Sequence, residues 1–186
     1  QSFQIMKKFI SLSSALLIAS LNAQNSSENL INIPEVKIAD WEVVNDGVMG
    51  GISSSSIKKS ADSLIFKGQL SLENNGGFAS VRYLLNKAIP KEADHILLRV
   101  KGDGRRYQFR VRNNANFDGV SYKFDFETKA NESQDIVIPI AALKSSFRGR
   151  HMPQYSAPKA SEIKQIGFLI ADKKTGAFAL EITSIS

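Results

Sequence analysis

The amino-acid sequence predicts an all-β protein, an antiparallel β-sandwich of about ten short strands. Three observations indicate this fold class. Apolar residues recur at every second position in short runs, as expected of strands that bury one face. Gly, Asn, Asp and Pro, which favour turns, bound these runs. After residue 30, no stretch keeps the 3.6-residue period of a helix over three turns.

Each strand is predicted from its own alternating run. The clearest runs, in chain order, cover residues 81–85, 96–100, 107–111, 122–126, 166–170 and 178–182. The apolar segment 136–138 is followed by Pro139, which suits the end or edge of a strand because proline has no backbone N–H to donate. Residues 140–143 and 160–164 have room for one turn of helix each.

The composition limits the chemistry of the chain. It has 186 residues, a formal net charge of +6, no cysteine and two histidines, His95 and His151. A chain without cysteine has no disulfide, cysteine-ligated zinc, iron–sulfur cluster or catalytic thiol. Two histidines do not suffice for a histidine-rich metal site. We therefore expect no metal and no other cofactor.

The N-terminal segment has the pattern of a signal peptide. A basic start at Met6-Lys-Lys8 precedes the mostly apolar residues 9–21, and Ala23 is a small residue at which a signal peptidase could cut. The apolar stretch is shorter than the roughly 20 residues that a membrane-spanning helix needs. We predict that residues 1–5 precede the natural start and that 6–23 form a cleaved signal-peptide helix. The protein would then be exported, to a bacterial periplasm or outside the cell.

The remainder is interpreted as one domain behind a short linker. Cleavage after Ala23 would remove two lysines and no acid, which lowers the net charge from +6 to +4. Residues 24–37 are predicted as a polar tether and 38–186 as a single domain, because no later break in composition and no internal repeat is visible. We expect no transmembrane span in the mature chain, and a monomer.

One hairpin can be assigned a register. Asp103-Gly104 predicts a two-residue turn, because type I′ turns need positive φ at both central positions. Val100 would then face Tyr107, and the paired strands would be apolar on one side and basic on the other.

With the strand at 121–127 added, one polar face would carry six basic residues and two acidic ones: Arg99, Lys101, Arg106, Arg110, Arg112 and Lys123, against Asp125 and Glu127. Two interpretations stay open. The face is a solvated surface whose cross-strand ion pairs contribute under about 1 kcal/mol each, or it is a binding face, since arginine suits carboxylates, phosphates and sulfated sugars. Nucleic acid is disfavoured, because no exposed aromatic residues alternate with the arginines.

Catalytic and metal signatures are weak. No Gly-x-Ser-x-Gly or His-Glu-x-x-His motif occurs. Acidic residues able to meet in space as a glycosidase pair are Asp46, Glu73, Asp118, Asp125 and Asp172. Asp46 or Asp118 could also donate to a structural calcium ion, although both lie in sequences that form good turns without any ion.

Five segments are long enough to compare with known families. They are Trp41-Glu-Val-Val-Asn-Asp-Gly-Val-Met-Gly-Gly-Ile-Ser53 and residues 71–82, 101–112, 146–150 and 166–173. In this order they resemble the motifs of the complex I intermediate-associated protein 30 family, and the resemblance runs from about Ile38 to Ile185. One departure is Ser133, where many members have a tryptophan.

The resemblance implies a galactose-binding-like jelly roll without catalytic activity, since mitochondrial members act as assembly chaperones for respiratory complex I. Predicted export separates this chain from that setting. We therefore expect a non-catalytic assembly or chaperone-type factor that binds an envelope protein or another acidic ligand. The alternative is a carbohydrate-binding module, for which Tyr155 is a further candidate contact. The candidate partner-binding residues are Asn45, Asp46, Met49, Arg82, Arg99, Arg106, Gln108, Arg110, Arg112, Arg148 and Arg150.

Overall fold

Two antiparallel sheets pack face to face in the computed structural model, which describes residues 29–115 and 118–186. This confirms the predicted sandwich. The predicted signal peptide, residues 6–23, lies outside the described residues. The strands are β1 Trp41–Asn45, β2 Ser54–Ser60, β3 Ser63–Leu70, β4 Ala79–Leu84, β5 His95–Lys101, β6 Arg106–Arg112, β7 Ser121–Glu127, β8 Ser133–Pro139, β9 Lys144–Phe147, β10 Arg150–His151, β11 Gln165–Ile170 and β12 Gly176–Ile185.

The strand order is β1-β4-β11-β6-β7-β9-β10 in the seven-stranded sheet and β2-β3-β12-β5-β8 in the five-stranded sheet. The helices of the described chain are one-turn 3₁₀ helices at Ile38–Asp40, Asp46–Met49, Glu73–Asn75, Ile140–Ala142 and Ala160–Glu162. The last two coincide with the predicted helical turns. Within the same residues, no helix has the length and apolar character needed to cross a membrane.

The core lies between the sheets and is rich in aromatic rings. Trp41 lies against Tyr83 at the end of the seven-stranded sheet, with ring centroids 5.2 Å apart. Phe109 meets Phe168 edge-on from the neighbouring strand at 5.6 Å. Both phenylalanine side chains are fully buried. Each buried aromatic side chain contributes roughly 2–3 kcal/mol of hydrophobic stabilisation, so the sandwich is held together without disulfides.

The domain begins earlier than the sequence predicts. Leu30, Ile31, Ile33 and Val36 are all buried in the core. The backbone N–H of Leu30 donates to the carbonyl oxygen of Ile185 at 2.7 Å. The predicted tether is therefore wrong from residue 30 onward. These four apolar residues belong to no helix or strand, so no helical or strand periodicity in the sequence indicated that they are core residues.

The predicted hairpin at Asp103-Gly104 is also wrong, because β5 and β6 belong to different sheets. β5 pairs with β8 and β12, whereas β6 pairs with β7 and β11. Val100 and Tyr107 are both buried, but they reach the core from opposite sheets. Their alternation therefore fits both arrangements equally well. The predicted pairing of β6 with β7 is confirmed, with Tyr107 opposite Phe126.

Residues 102–105 connect the two sheets, and the side chains of Asp103 and Arg105 fix this connection to neighbouring strands and loops. The Asp103 carboxylate accepts hydrogen bonds from the Tyr107 hydroxyl at 3.0 Å and from the Ala179 backbone N–H at 2.8 Å. Arg105 forms a two-pronged ion pair with the almost fully buried Asp172, at 2.6 and 2.9 Å. Asp103 thus links one strand of each sheet and stabilises the connection between the sheets, which the sequence motif had wrongly indicated to be a hairpin turn.

Candidate functional site

The outer face of the seven-stranded sheet, the side turned away from the five-stranded sheet, gathers most of the polar residues of the central strands. This surface is called the outer face below. One row of cross-strand neighbours runs over it and contains four basic residues around a single glycine: Glu42, Arg82, Gly167, Arg110, Lys123 and Lys144. The next row toward β6's C-terminal end holds Leu84, Gln165 and Arg112. The structure thus brings Arg82, Arg110 and Arg112 together.

These three arginines surround an open depression whose floor is Gly167. We call this site the arginine cleft, defined by Arg82, Arg110, Arg112 and Gly167. The depression is open to solvent and leaves about 20 Å³ for the centre of a water-sized group. A side chain at Gly167 would rise between Arg82 and Arg110, and its Cβ would lie only 2.3 Å from the carbonyl oxygen of Val81. Glycine is therefore required both for sheet packing and for an open cleft.

Two guanidinium groups in the cleft lack a carboxylate partner. Arg110 donates from Nε and Nη2 to the Gln108 side-chain oxygen, at 3.0 and 2.8 Å, and from Nη1 to the Ser121 hydroxyl at 3.1 Å. Both acceptors are neutral. The buried Nε of Arg112 has no hydrogen-bond partner among the described residues. None of the ion pairs between described residues includes Arg110 or Arg112.

Burial and mutual repulsion lower the basicity of these groups. Desolvation, followed by repulsion from Arg82, lowers the pKa of Arg110 to about 10, against a smaller opposing effect of Asp125. Desolvation and the charges of Arg82 and Arg110 lower the pKa of Arg112 to about 10 as well, against smaller opposing effects of Asp118 and Glu42. Both groups remain charged at pH 7. The cleft therefore holds positive charge on Arg110 and Arg112 that no ion pair between described residues neutralises.

Toward β7, the outer face is compensated. The Lys123 ammonium group donates to one carboxylate oxygen of Asp125 at 2.9 Å, and the Gln108 amide donates to the other at 2.9 Å. Arg106 is exposed and lies opposite Glu127 across the β6–β7 ladder. On this surface, the basic side chains without an ion pair among the described residues thus include Arg110 and Arg112 in the arginine cleft and the exposed Lys144 on β9.

Arg99 and Lys101 do not share this surface, so the predicted six-residue basic face is wrong. Both residues lie on β5, in the five-stranded sheet. Arg99 forms an exposed ion pair with Asp135 on β8, with its Nε 2.8 Å from a carboxylate oxygen. The error follows from the false hairpin, which placed β5 beside β6.

Asp46 in the first motif is a structural residue. It is completely buried. Its carboxylate accepts hydrogen bonds from the backbone N–H groups of Ser53, Gly77 and Phe78 and from the Ser53 hydroxyl. Burial acts to raise the pKa of Asp46, but these hydrogen bonds together lower it below its ordinary value. Four protein donors occupy the carboxylate oxygens, which leaves them poorly placed to bind calcium.

The other two candidates of the first motif are Asn45, which is partly buried, and Met49, which is exposed. The Asn45 side-chain oxygen accepts from the Ser55 hydroxyl at 2.7 Å, so it braces β1 against β2. Met49 is 62% exposed and Val48 is 70% exposed at the tip of the loop that Asp46 organises. Of the first-motif candidates, only Met49 presents its side chain to a partner.

Arg148 and Arg150 lie at the far edge of the seven-stranded sheet, around the tight turn between β9 and β10. Arg148 adopts a positive φ of 47° and forms an exposed ion pair with Asp118, with a distance of 3.2 Å. Its guanidinium carbon lies 5.1 Å from the ring centre of Phe147. Arg150 is exposed. Both residues are accessible, and neither belongs to the cross-strand rows that form the arginine cleft.

Two other features bear on the chemistry of the surface. The strand residues described for the outer face include no Phe, Tyr or Trp, and Tyr155 lies in a turn after β10. Within residues 29–115 and 118–186, no group of three His, Asp or Glu side chains is arranged to hold a metal ion. Sequence reasoning missed Gly167 on the floor of the cleft and Gln165, which lines the depression beside it. The signal for Gly167 was a lone glycine inside the apolar run 166–170.

The two antiparallel sheets, with one open polar face, place the chain in the class of β-sandwich domains. The chain belongs to the Complex I intermediate-associated protein 30 family, whose model matches residues 29–182. A curated relative is "Complex I intermediate-associated protein 30, mitochondrial" from Mus musculus, which is 27% identical over an alignment covering 78% of this chain. The alignment covers 51% of that relative, so the chain spans about half its length.

Solved structures show the same fold. A family 11 carbohydrate-binding module from Clostridium thermocellum, in complex with a β-1,3-1,4-mixed-linked tetrasaccharide, superposes with a TM-score of 0.60 and 16% identity, covering 83% of this chain and 94% of that one. An agarase, AgWH50C, gives a TM-score of 0.54 and 11% identity over 82% of this chain and 25% of the agarase. At these identities the likeness shows the fold alone.

Proposed function

We propose that this chain is a non-catalytic binding domain that uses the outer face to hold an acidic protein partner in the bacterial cell envelope, as an assembly or chaperone-type factor. The observation that carries the proposal is the arginine cleft, where the charged guanidinium groups of Arg110 and Arg112 form no ion pair with a carboxylate of the described residues. Membership of a family named for association with an assembly intermediate supports a protein partner. Location in the envelope rests on the leader pattern of residues 6–23.

The engagement of the acidic residues supports a non-catalytic role. A glycosidase needs two accessible carboxyl groups across a cleft. Four of the five candidate acids are instead held by other protein groups: Asp46 by backbone donors, Asp118 by Arg148, Asp125 by Lys123, and Asp172 by Arg105. The buried Asp46 and Asp172 carboxylates are thus committed to structural contacts, whereas Asp118 and Asp125 form ion pairs at the surface.

The carbohydrate-binding alternative is less well supported by this surface. Sugar rings commonly stack on exposed aromatic side chains, and the described strand residues of the outer face supply none. Arg106, Gln108 and Arg110 do share that face, as this alternative requires. A glycan array with the mature protein tests it directly: strong binding to a neutral glycan would favour the module over the protein-binding factor.

Site-specific photocrosslinking in envelope preparations tests the proposal. A photoreactive amino acid at Gln108 would sit on the outer face beside the cleft. The same group at Val137, an exposed residue on the outer side of the five-stranded sheet, is the matched control. We expect one dominant protein adduct from position 108, absent from position 137 and lost when Arg110→Glu is added. Equal adducts from both positions, or no protein adduct, would contradict the proposal.

A further inference from the structure

We propose that the arginine cleft is a site for a single oxyanion group, a carboxylate carried by an acidic segment of the protein partner. This proposal deepens the proposed function and rests on it, because it names the chemical group that the outer face recognises. It requires that the cleft be charged, partly desolvated, unsatisfied and open. Each of these properties can be followed in the contacts of Arg110, Arg112 and Gly167.

The first step is the unsatisfied donor. Arg112 is only 7% exposed, and its Nε is buried without a hydrogen-bond partner among the described residues. A buried charged donor left unpaired is costly, and native proteins rarely keep one without a reason. The Nε–Nη2 edge of a guanidinium group is the edge that binds a carboxylate through two parallel hydrogen bonds. Arg112 is therefore the main candidate for contact with the anion.

The second step is the orientation of Arg110. Its Nε and Nη2 are held by the side-chain oxygen of Gln108, whose own amide group is fixed by Asp125. This chain of hydrogen bonds positions the Arg110 charge beside Arg112 without neutralising it. The resulting repulsion is one cause of the lowered pKa of Arg112, and the charge of Arg82 contributes to the lowered pKa of both groups. An anion bound between them would relieve that repulsion.

The third step is the open floor. Gly167 separates Arg82 from Arg110 in the same cross-strand row. Any larger residue would place its Cβ 2.3 Å from the Val81 carbonyl oxygen. A small group can therefore descend to the sheet between the arginines. The missing side chain leaves room for a carboxylate, and the outer-face strand residues around it include no aromatic side chain on which a sugar ring could stack.

These properties predict an unusual response to substitution. Arg112→Met keeps most of the side-chain volume and removes a buried, unpaired charge, a change that is often neutral or stabilising. We therefore expect the variant to melt at the same temperature as the wild type or higher in sodium chloride. A residue retained at a cost to stability is typical of a functional site. A merely structural arginine would give a lower melting temperature when removed.

The test compares anions at constant ionic strength with the mature protein. Thermal unfolding is followed in sodium chloride, sodium succinate and sodium sulfate, for the wild type, Arg112→Met and Lys67→Met. Sulfate stabilises proteins generally, so the informative quantity is the shift of the wild type minus that of Arg112→Met. We expect a positive difference in succinate and in sulfate. Lys67→Met, whose side chain is exposed on β3 in the five-stranded sheet, should respond to the anions as the wild type does. Equal shifts in the wild type and Arg112→Met would overturn the proposal.

An NMR titration of the unmodified protein provides a readout that does not depend on a variant folding. The Arg112 Nε–Hε resonance should shift on addition of a capped pentaglutamate peptide, since a hydrogen bond to that proton would form. Arg110→Gln should lower the affinity for the peptide by roughly 10–100-fold, which is the usual effect of losing a hydrogen bond to a charged group. An unchanged Arg112 signal at saturating peptide would refute the site. Binding of a sulfated oligosaccharide but not of the peptide would refute the protein source of the anion.

The crosslinking and anion-binding experiments together distinguish a failure of the cleft as an anion site from a failure of the proposed function. A crosslink from Gln108 together with no anion response would leave the outer face as the partner surface and reject the cleft as its anion site. An anion response without any protein adduct would support the cleft and reject the envelope protein partner.

Discussion

Replacement of Asp46 by alanine is expected to destabilise the domain more than any other single loss of a carboxylate. The Asp46 side chain is completely buried, and it joins the first-motif loop to the segment before β4 through Gly77 and Phe78. It also accepts from the backbone and the hydroxyl of Ser53. Alanine would leave all four donors without this acceptor.

The magnitude follows from those four hydrogen bonds. Each hydrogen bond to a charged group contributes about 1.5–3 kcal/mol, but water can replace part of the loss in a loop near the surface. We therefore expect a decrease of about 3–5 kcal/mol in the free energy of unfolding. For a domain of this size, each kcal/mol corresponds to roughly 2–4 °C, so the melting temperature should fall by about 6–20 °C.

Chemical denaturation of the wild type, Asp46→Ala, Asp46→Asn and Asp62→Ala measures the effect. Asp62 is an exposed acid in the turn between β2 and β3 and serves as the matched control, with no expected change. The pKa of Asp46 is lowered in the folded state. The advantage of the wild type over Asp46→Asn should therefore be complete above the unfolded pKa of about 4 and disappear as the pH falls through the folded value. A loss below about 1 kcal/mol in Asp46→Ala, or an advantage independent of pH, would refute the reasoning.

Three further predictions concern packing and ion pairs. Arg105→Met should lower the free energy of unfolding by about 3–5 kcal/mol in urea titrations, because it leaves the Asp172 carboxylate buried and unpaired. Arg99→Met should leave the urea midpoint unchanged within error, since the ion pair with Asp135 is exposed and screened by water. Gly68→Ala should prevent normal folding, seen as loss of soluble protein and of near-ultraviolet circular dichroism, because its Cβ would lie 1.9 Å from a carbonyl oxygen of β2. A stable, soluble Gly68→Ala protein would show that β2 and β3 can separate without cost.

The sequence was sufficient to predict the sandwich, because alternation reports which side chains face the core whatever the pairing. It was insufficient for strand pairing between β5 and β6. A chain that crosses from one sheet to the other keeps Val100 and Tyr107 pointing inward, just as a hairpin does. The information that decides between them lies in Asp103, which bonds Tyr107 and Ala179 from strands far apart in sequence. No local pattern contains that contact.

The candidate site could be predicted only in part, because alternation shows which face of a strand a residue lies on but not which strands are neighbours. Alternation placed Arg110 and Arg112 on one side of β6, and this holds in either topology. The strand that completes the cleft, β11, was recognised, but nothing in its sequence indicated that it lies between β4 and β6. The roles of Gly167 and Arg82 depend on that placement. Sequence reasoning thus found individual cations and missed the surface that joins them.

The position of β12 has a consequence for how the chain acquires its structure. This strand is synthesised after all the other strands described here, yet it lies in the middle of its sheet, between β3 and β5. Ile185, near its end, also receives the hydrogen bond from Leu30 at the beginning of the domain. A nascent chain therefore exposes two incomplete half-sheets until β12 has been synthesised. Such long-range closure folds slowly and makes the unfinished chain a substrate for holding chaperones.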